Sequence, residues 1–413
     1  KTPQLVNTHS GMQGKLTMVN DFCTNPVPNW IGKVTNEKGE VLARGCSGCH
    51  PGFGKMPEQK MSREQLENID CLICHASGYR RDLYQDEAGD WVWRPILWKN
   101  REGLDSVSKR ISRPTRTMCL RCHSASGGGP NYKRGDLSYG LAECETDLDV
   151  HMATDGADLE CADCHAGEDH RVLGRGADIV SSDSPATRLR CDNGDCHDST
   201  PHSRELLNRH ARRVACTTCH IPTFAKADPT DMLRDWSQIH FSEEKGKFVP
   251  HIEERGDVVP VYAWFNGTTW AQLPQQAVHR DAAGRVTMAI PQGDRTDPEA
   301  RIYPFKVHRA RLPVLDGKQW LLPINTEGVY EHGDINRGVR DAARKLYGIP
   351  DATYTWAETI RYMSINHEVE PASEALGCLD CHGPDGRLDW KALGYEGDPL
   401  AECLAPSAGK PVD

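Results

Sequence analysis

The chain has 413 residues, of which 38% are apolar and only 7 are Phe, and its mean hydropathy is −0.61. That length suffices for two or three ordinary domains, but the apolar supply is thin for a conventional side-chain core. A formal charge of −10 argues against nucleic acid or an anionic membrane surface as partner, and no run of about 18 apolar residues is present to cross a bilayer. No secretory leader precedes Lys1, which reads as a processed end.

Residues 1 to about 45 contain His9 and Cys23 but no cysteine pair. A repeat then begins, in which a cysteine pair is closed at once by histidine. It occurs at Cys46-Ser-Gly-Cys49-His50, Cys71-Leu-Ile-Cys74-His75, Cys119-Leu-Arg-Cys122-His123, Cys161-Ala-Asp-Cys164-His165 and Cys216-Thr-Thr-Cys219-His220. A stretched copy stands at Cys191-Asp-Asn-Gly-Asp-Cys196-His197, and the last copy, Cys378-Leu-Asp-Cys381-His382, follows a long interval. C-x-x-C-H is the attachment signature of c-type haem. The two thiols form thioethers to the porphyrin, and the next residue reaches the iron as proximal ligand. A zinc site would not need histidine directly after the second cysteine and would pair half-sites at its own spacing.

Seven motifs therefore predict seven covalent haems, six of them attached between Cys46 and His220. The expected fold class is mainly α with much irregular chain: a multihaem cytochrome c array whose core is haem, plus a haem-free lobe. Little strand and short helices at the motifs are expected, in keeping with 26 Pro and 37 Gly. The motifs use 14 of the 17 Cys and leave Cys23, Cys144 and Cys403. Haem is attached outside the cytoplasm, so a periplasmic or extracellular location is expected.

Four regions follow: 1–45, the array at 46–225, a cysteine-free lobe at 226–365 that holds Trp236, Trp264, Trp270, Trp320 and Trp356, and a final segment at 366–413. Residues 203–213 read as a helix capped by Ser203. Residues 337–347 read as a helix stopped by Gly348 and Pro350.

A haem that only passes electrons needs a second ligand. Eleven of the 18 histidines lie outside the motifs. His151, His170, His202 and His210 fall inside the array and are candidate ligands. The last two stand eight residues apart, roughly 12 Å along a helix, and so suit different haems. His240, His251, His279, His308 and His332 belong to the lobe and read as structural.

The order of motifs resembles the octahaem tetrathionate reductase family of multihaem cytochromes. The resemblance is carried by Asn20-Asp-Phe-Cys23, Cys49-His50-Pro-Gly-Phe-Gly, Asp70-Cys71, Gly127-Gly-Gly, Tyr132-Lys133-Arg-Gly-Asp136, Asp149-Val-His151 and Glu168-Asp-His170. It continues through Val214-Ala-Cys216, Asp235-Trp236-Ser237, Trp264-Phe-Asn-Gly267 and Ile365-Asn-His367. It implies a catalytic haem on Cys46 and Cys49, with His50 proximal and the amine of Lys133 distal, flanked by Asn20 and Cys23. It also implies His9, His151, His170, His202, His210 and His367 as distal ligands of the others. Read without the resemblance, Lys133 is an ordinary solvated lysine. Cys23 is open between a thiol that exchanges with a sulfur–sulfur bond, an inert buried thiol, and a disulfide partner of Cys144 or Cys403.

This chain departs from the family pattern in three ways. It carries seven motifs rather than eight, so an eighth haem is expected only if an N-terminal piece is missing. It has Pro130 where the family has an acid, and Asp231 where the family has a lysine. Two functions remain open: a reductase of a small sulfur or nitrogen oxyanion such as tetrathionate, nitrite or hydroxylamine, or a non-enzymatic electron conduit, as in an extracellular filament. A donor cytochrome or quinol dehydrogenase is the expected partner, and a homo-oligomer fits either reading.

Overall fold

A computed structural model describes residues 19–22, 29–56, 62–96, 103–168, 170–172, 174 and 189–404. In chain order the strands are β1 Val34–Thr35, β2 Val41–Ala43, β3 Arg81–Gln85, β4 Trp91–Pro95, β5 Gly167–Glu168, β6 Arg171–Val172, β7 Thr230–Ser242, β8 Lys247–Arg255, β9 Val261–Phe265, β10 Thr269–Ala271, β11 Val286–Pro291, β12 Arg301–Leu315 and β13 Tyr354–Ser364. The helices are α1 Arg63–Glu67, α2 Leu72–His75, α3 Leu104–Ser108, α4 Arg116–His123, α5 Cys161–Cys164, α6 Glu205–Ala211, α7 Cys216–His220, α8 Thr326–His332, α9 Ile335–Tyr347, α10 Cys378–Cys381 and α11 Pro399–Leu404.

The mainly-α expectation is overturned. Helix covers 21% of the described residues and strand 26%. The array does have short helices, and five of the seven motifs lie on α2, α4, α5, α7 and α10. The strand lies chiefly in the lobe, where β10-β11-β13-β12-β7-β8 form a mixed sheet and β9 pairs with the start of β12. β12 runs antiparallel to β13 from Phe305↔Ser364 to Leu315↔Tyr354 and parallel to β7.

The reason this sheet was missed is chemical. On β12 every second residue from Ile302 to Val314 is buried, as one face of a strand must be, and Phe305, Pro313 and Leu315 of the other face are buried as well. Lys306 and His308 on the first face are ionisable, so the hydropathy alternation that betrays a strand is erased where it matters most.

The lobe core joins the sheet to α8 and α9 through Leu312, Val314, Leu322, Ile324, Val329, Val339, Ala343 and the fully buried Trp236. Helix α9 begins two residues before the predicted span, with Asp334 accepting from the Arg337 amide, and ends at Gly348 with φ +68°. Helix α6 is shorter than predicted. Its cap position is Arg204 rather than Ser203.

Candidate functional site

Five ring pairs organise the array. His75 faces His170 at 6.0 Å between ring centres, His197 faces His151 at 6.1 Å, and His165 faces His367 at 6.2 Å. His220 faces His202, and His382 faces His210, both at 6.3 Å. Every pair joins one motif histidine to one histidine outside the motifs.

Aromatic rings in ordinary contact spread over roughly 4.5–7 Å and show no such partner rule. These five lie within 0.3 Å of one another. A metal held roughly 2 Å from each coordinating nitrogen, with each nitrogen roughly 1 Å from its ring centre, needs ring centres roughly 6 Å apart. The pairs therefore fit an iron between them. Among the described residues no group of three or more His, Cys, Asp or Glu converges on a bare metal ion, which leaves no closed zinc site there.

The far nitrogens of several rings are tied down, which fixes the nitrogen turned to the gap. His75 Nδ1 lies 2.9 Å from the Ser112 carbonyl, and His210 Nδ1 2.9 Å from that of Leu206. His367 Nδ1 meets Asp136 Oδ2 at 3.1 Å, and His382 Nδ1 meets Asp398 Oδ1 at 2.6 Å. Asp136 is fully buried and also accepts from the backbone amides of Asn366 and His367. His170 sits in the tight turn between β5 and β6 with φ +60°.

The cysteines order the motifs. The thiol of Cys122 in the third motif lies against that of Cys49 in the first, with Cys74 of the second nearby, and all three are free. The Cys119 thiol lies against that of Cys161, Cys164 lies near Cys196, the Cys191 thiol lies against that of Cys216, and Cys219 lies near Cys381. The attachment points thus form one thread. The first two motifs meet at the third, and the fourth to seventh follow in chain order.

His50 and His123 remain. His9, expected opposite one of them, lies outside the described residues, as does Cys23. The ring beside His50 is Trp30, edge-on at 4.9 Å. Burial pushes the His50 imidazole below the usual histidine value, which favours the neutral, ligating form. The turn at Cys46 hangs on Asn29 and Trp30, whose carbonyls accept from the Cys46 and Ser47 amides at 2.9 and 2.8 Å. Gly45, with φ +71°, makes that approach possible, since a Cβ there would stand 2.7 Å from the Trp30 oxygen.

Lys133 is 7% exposed, which removes the solvated-lysine reading. It stands in the loop that leaves α4 directly behind Cys122 and His123, with Asn131 N donating to Ser124 O at 2.7 Å and Lys133 N to Ser126 O at 3.1 Å. At Gly127 a Cβ would lie 3.1 Å from Lys133 Cβ and 3.3 Å from Phe22 Cδ1. The Lys133 loop and the Asn20–Phe22 segment therefore touch. Asn20 Oδ1 accepts from the Phe22 amide at 2.9 Å.

Sequence reasoning missed what holds that segment: a buried charged cluster supplied by the lobe. Asp21 bonds Arg361 Nε at 2.7 Å and His308 Nδ1 at 2.6 Å. His308 Nε2 faces Asp231 at 3.3 Å, and the ring stacks on Phe22 at 4.0 Å. Arg234 bonds Asp231 at 2.7 Å and the Phe22 carbonyl at 2.6 Å, while Trp236 Nε1 donates to the Asp21 carbonyl at 2.9 Å. Burial alone would raise the Asp21 carboxyl, but Arg361 and His308 outweigh it and hold it well below the usual carboxylate range. Burial pushes the nearby Lys306 ammonium down to about 7, against the pull of Asp231 and Asp21. Asp231, read from sequence as a missing catalytic lysine, is the counter-ion of Arg234.

The unassigned Cys144 is buried among Leu120, Leu141, Met152 and Ala153, and the side chain of Cys403 lies outside the described residues.

Residues 223–385 match the family model described as bacterial cytochrome c. A crystal structure of an octahaem cytochrome c from Shewanella oneidensis superposes with a TM-score of 0.77 at 31% identity, covering 95% of this chain and 87% of that one. An uncharacterised protein of Archaeoglobus fulgidus is 34% identical over 45% of this chain and 73% of its own length. No helix among the described residues is long and apolar enough to cross a membrane.

Proposed function

The chain belongs to the octahaem tetrathionate reductase family of multihaem c-type cytochromes, and from that premise we propose that it is an exported reductase of a small sulfur or nitrogen oxyanion. Seven haems c are held by the cysteine pairs of the seven motifs. The five histidine pairs would hold five of them, and His9 would complete the one at His123. His50 and Lys133 serve the first motif. Bound haem would supply one-electron storage at each motif and, at the first, an iron able to exchange its ligand for a substrate.

The observation that carries this reading is the burial of Lys133 in a loop that packs on Phe22 through Gly127 and leaves α4 directly behind Cys122, whose thiol neighbours Cys49. An amine must be neutral to ligate, and desolvation lowers a lysine's proton affinity. A single amine yields to an incoming ligand more readily than an imidazole locked at its far nitrogen. Asn20 and Cys23 are the carboxamide and thiol that would flank that haem. Tetrathionate, nitrite and hydroxylamine are the candidate substrates. Electrons come from a donor cytochrome or a quinol dehydrogenase in the periplasm or at the cell exterior. The regions 1–45, 46–225, 226–365 and 366–413 then act as ligand arm, relay, scaffold and relay terminus.

A non-enzymatic conduit is the second reading, favoured by the unbroken thread of motif contacts from the first motif to the seventh. Low-temperature EPR of the oxidised protein, with and without each candidate substrate, separates the two. A minority histidine–amine signal that changes with one compound supports the reductase and names its substrate. Bis-histidine signals indifferent to every addition sink it in favour of the conduit.

A further inference from the structure

Lys306 is fully buried on β12, paired in register with Met363 of β13. An ammonium carries three donors, and three acceptors surround this one. They are the Tyr132 carbonyl at 2.6 Å, the Lys133 carbonyl at 3.3 Å and Thr230 Oγ1 at 2.6 Å. Thr230 spends its own proton on the same loop, donating to the Asn131 carbonyl at 2.7 Å. Three consecutive carbonyls, 131 to 133, are thus gathered onto two lobe side chains.

Neither the sheet nor the loop requires this for its own closure. β12 is already paired along its length with β13, and the loop has its own ties in Asn131 Nδ2 to Gly135 O and Lys133 N to Ser126 O. The loop is also drawn down onto the lysine stem: a Cβ at Gly135 would meet Lys306 Cδ at 3.2 Å. Burying an ammonium costs several kcal/mol, and an apolar residue would fill the same strand position without that cost. The position is therefore explained by what its nitrogen holds.

We propose that Lys306, seconded by Thr230, is a positioning residue that sets the backbone of Lys133, and so governs how firmly the Lys133 amine holds the sixth position at the first motif. The proposal rests on the reading of Lys133 as a ligand. It assigns the haem-free lobe a role at the site: β12 and β7 each send one side chain under the ligand loop.

The test uses the haem-loaded protein and the variants Lys306→Met, Thr230→Val, Thr230→Ser and Lys133→Ala. The readouts are the EPR of the histidine–amine haem and the stopped-flow rate of cyanide binding. In Lys306→Met the histidine–amine signal shifts or gives way to high spin, and cyanide binds about ten- to a hundredfold faster, the range typical of losing a partner behind a ligand. The bis-histidine signals stay as in wild type. Thr230→Val moves both readouts in the same direction, and Thr230→Ser restores them.

An unshifted signal with a cyanide rate within about twofold of wild type in Lys306→Met overturns the proposal and leaves the Lys133 ligand standing. If Lys306→Met does not fold, the threonine pair decides: Thr230→Val indistinguishable from wild type is equally fatal. A wild-type spectrum with no histidine–amine signal, unchanged in Lys133→Ala, overturns the ligand reading and this proposal together.

Discussion

Replacing Asp21 with Asn tests whether the buried cluster is what anchors the Asn20–Phe22 segment to the lobe. Both oxygens of Asp21 are committed, one to Arg361 at 2.7 Å and one to His308 at 2.6 Å, and all three side chains are at most 1% exposed. The second terminal nitrogen of Arg361 has no hydrogen-bond partner among the described residues, so the guanidinium has little to fall back on. Leaving a buried partner uncompensated costs about 3–5 kcal/mol. At roughly 2–4 °C per kcal/mol for a unit of the lobe's size, the thermal midpoint falls by roughly 6–20 °C at pH 7.

The pH dependence provides a second arm. The folded carboxyl lies well below its unfolded value of about 3.9, so its stabilisation is complete above that value and is lost as pH falls toward the folded pKa. Between about pH 4 and the folded value, wild type loses roughly 1.4 kcal/mol per pH unit from this group, and the variant does not. Scanning calorimetry of the haem-loaded proteins at pH 7 and pH 3 should show the gap in midpoint narrowing. A gap under about 2 °C at pH 7, or one that does not narrow at pH 3, refutes the reasoning.

Asp136→Asn removes the carboxylate behind His367 while keeping an acceptor for the Asn366 amide. The less basic imidazole stabilises ferric iron less, so one potential rises by roughly 60–120 mV in a spectroelectrochemical titration, and a fall would contradict the assignment. Gly135→Ala places a methyl at φ +83° and 2.9 Å from the Phe224 ring, which costs about 2–5 kcal/mol in denaturant melts. Gly128→Ala, at φ +89° with open space around it, costs only about 1–2 kcal/mol. The ring planes of His75/His170, His151/His197 and His210/His382 cross at 75–79°, whereas those of His165/His367 and His202/His220 lie within 30°. With haem bound between these five pairs, two classes of low-spin EPR signal are expected in a ratio of three to two, and a single class would contradict these ring orientations.

Some of this was legible along the chain because the chemistry is local. A cysteine pair followed by histidine needs only its own few residues to accept a porphyrin, so seven motifs could be read without a fold. Helix α9 was legible for the same reason: one apolar stripe and a terminating glycine lie within 14 residues. The histidines expected to complete the haems were nameable, but not their pairing. His202, just before α6, stands opposite His220, while His210 within α6 stands opposite His382. No spacing rule reaches across 172 residues.

The β-rich lobe was invisible because its inward face carries Lys306, His308, Asp231 and Arg234, all buried and all ionisable. Charge at those positions reads as a solvated surface until tertiary partners neutralise it, and the partners come from four separate stretches: Asp21, Tyr132–Lys133, Thr230–Arg234 and Arg361. By itself the sequence marked the cysteine pairs and adjacent histidines as haem-attachment motifs, since covalent attachment is a property of a few neighbouring atoms. Only the tertiary structure decided which histidine faces which and why the lobe exists, since the energy of a buried charge depends on whatever distant residue is brought beside it.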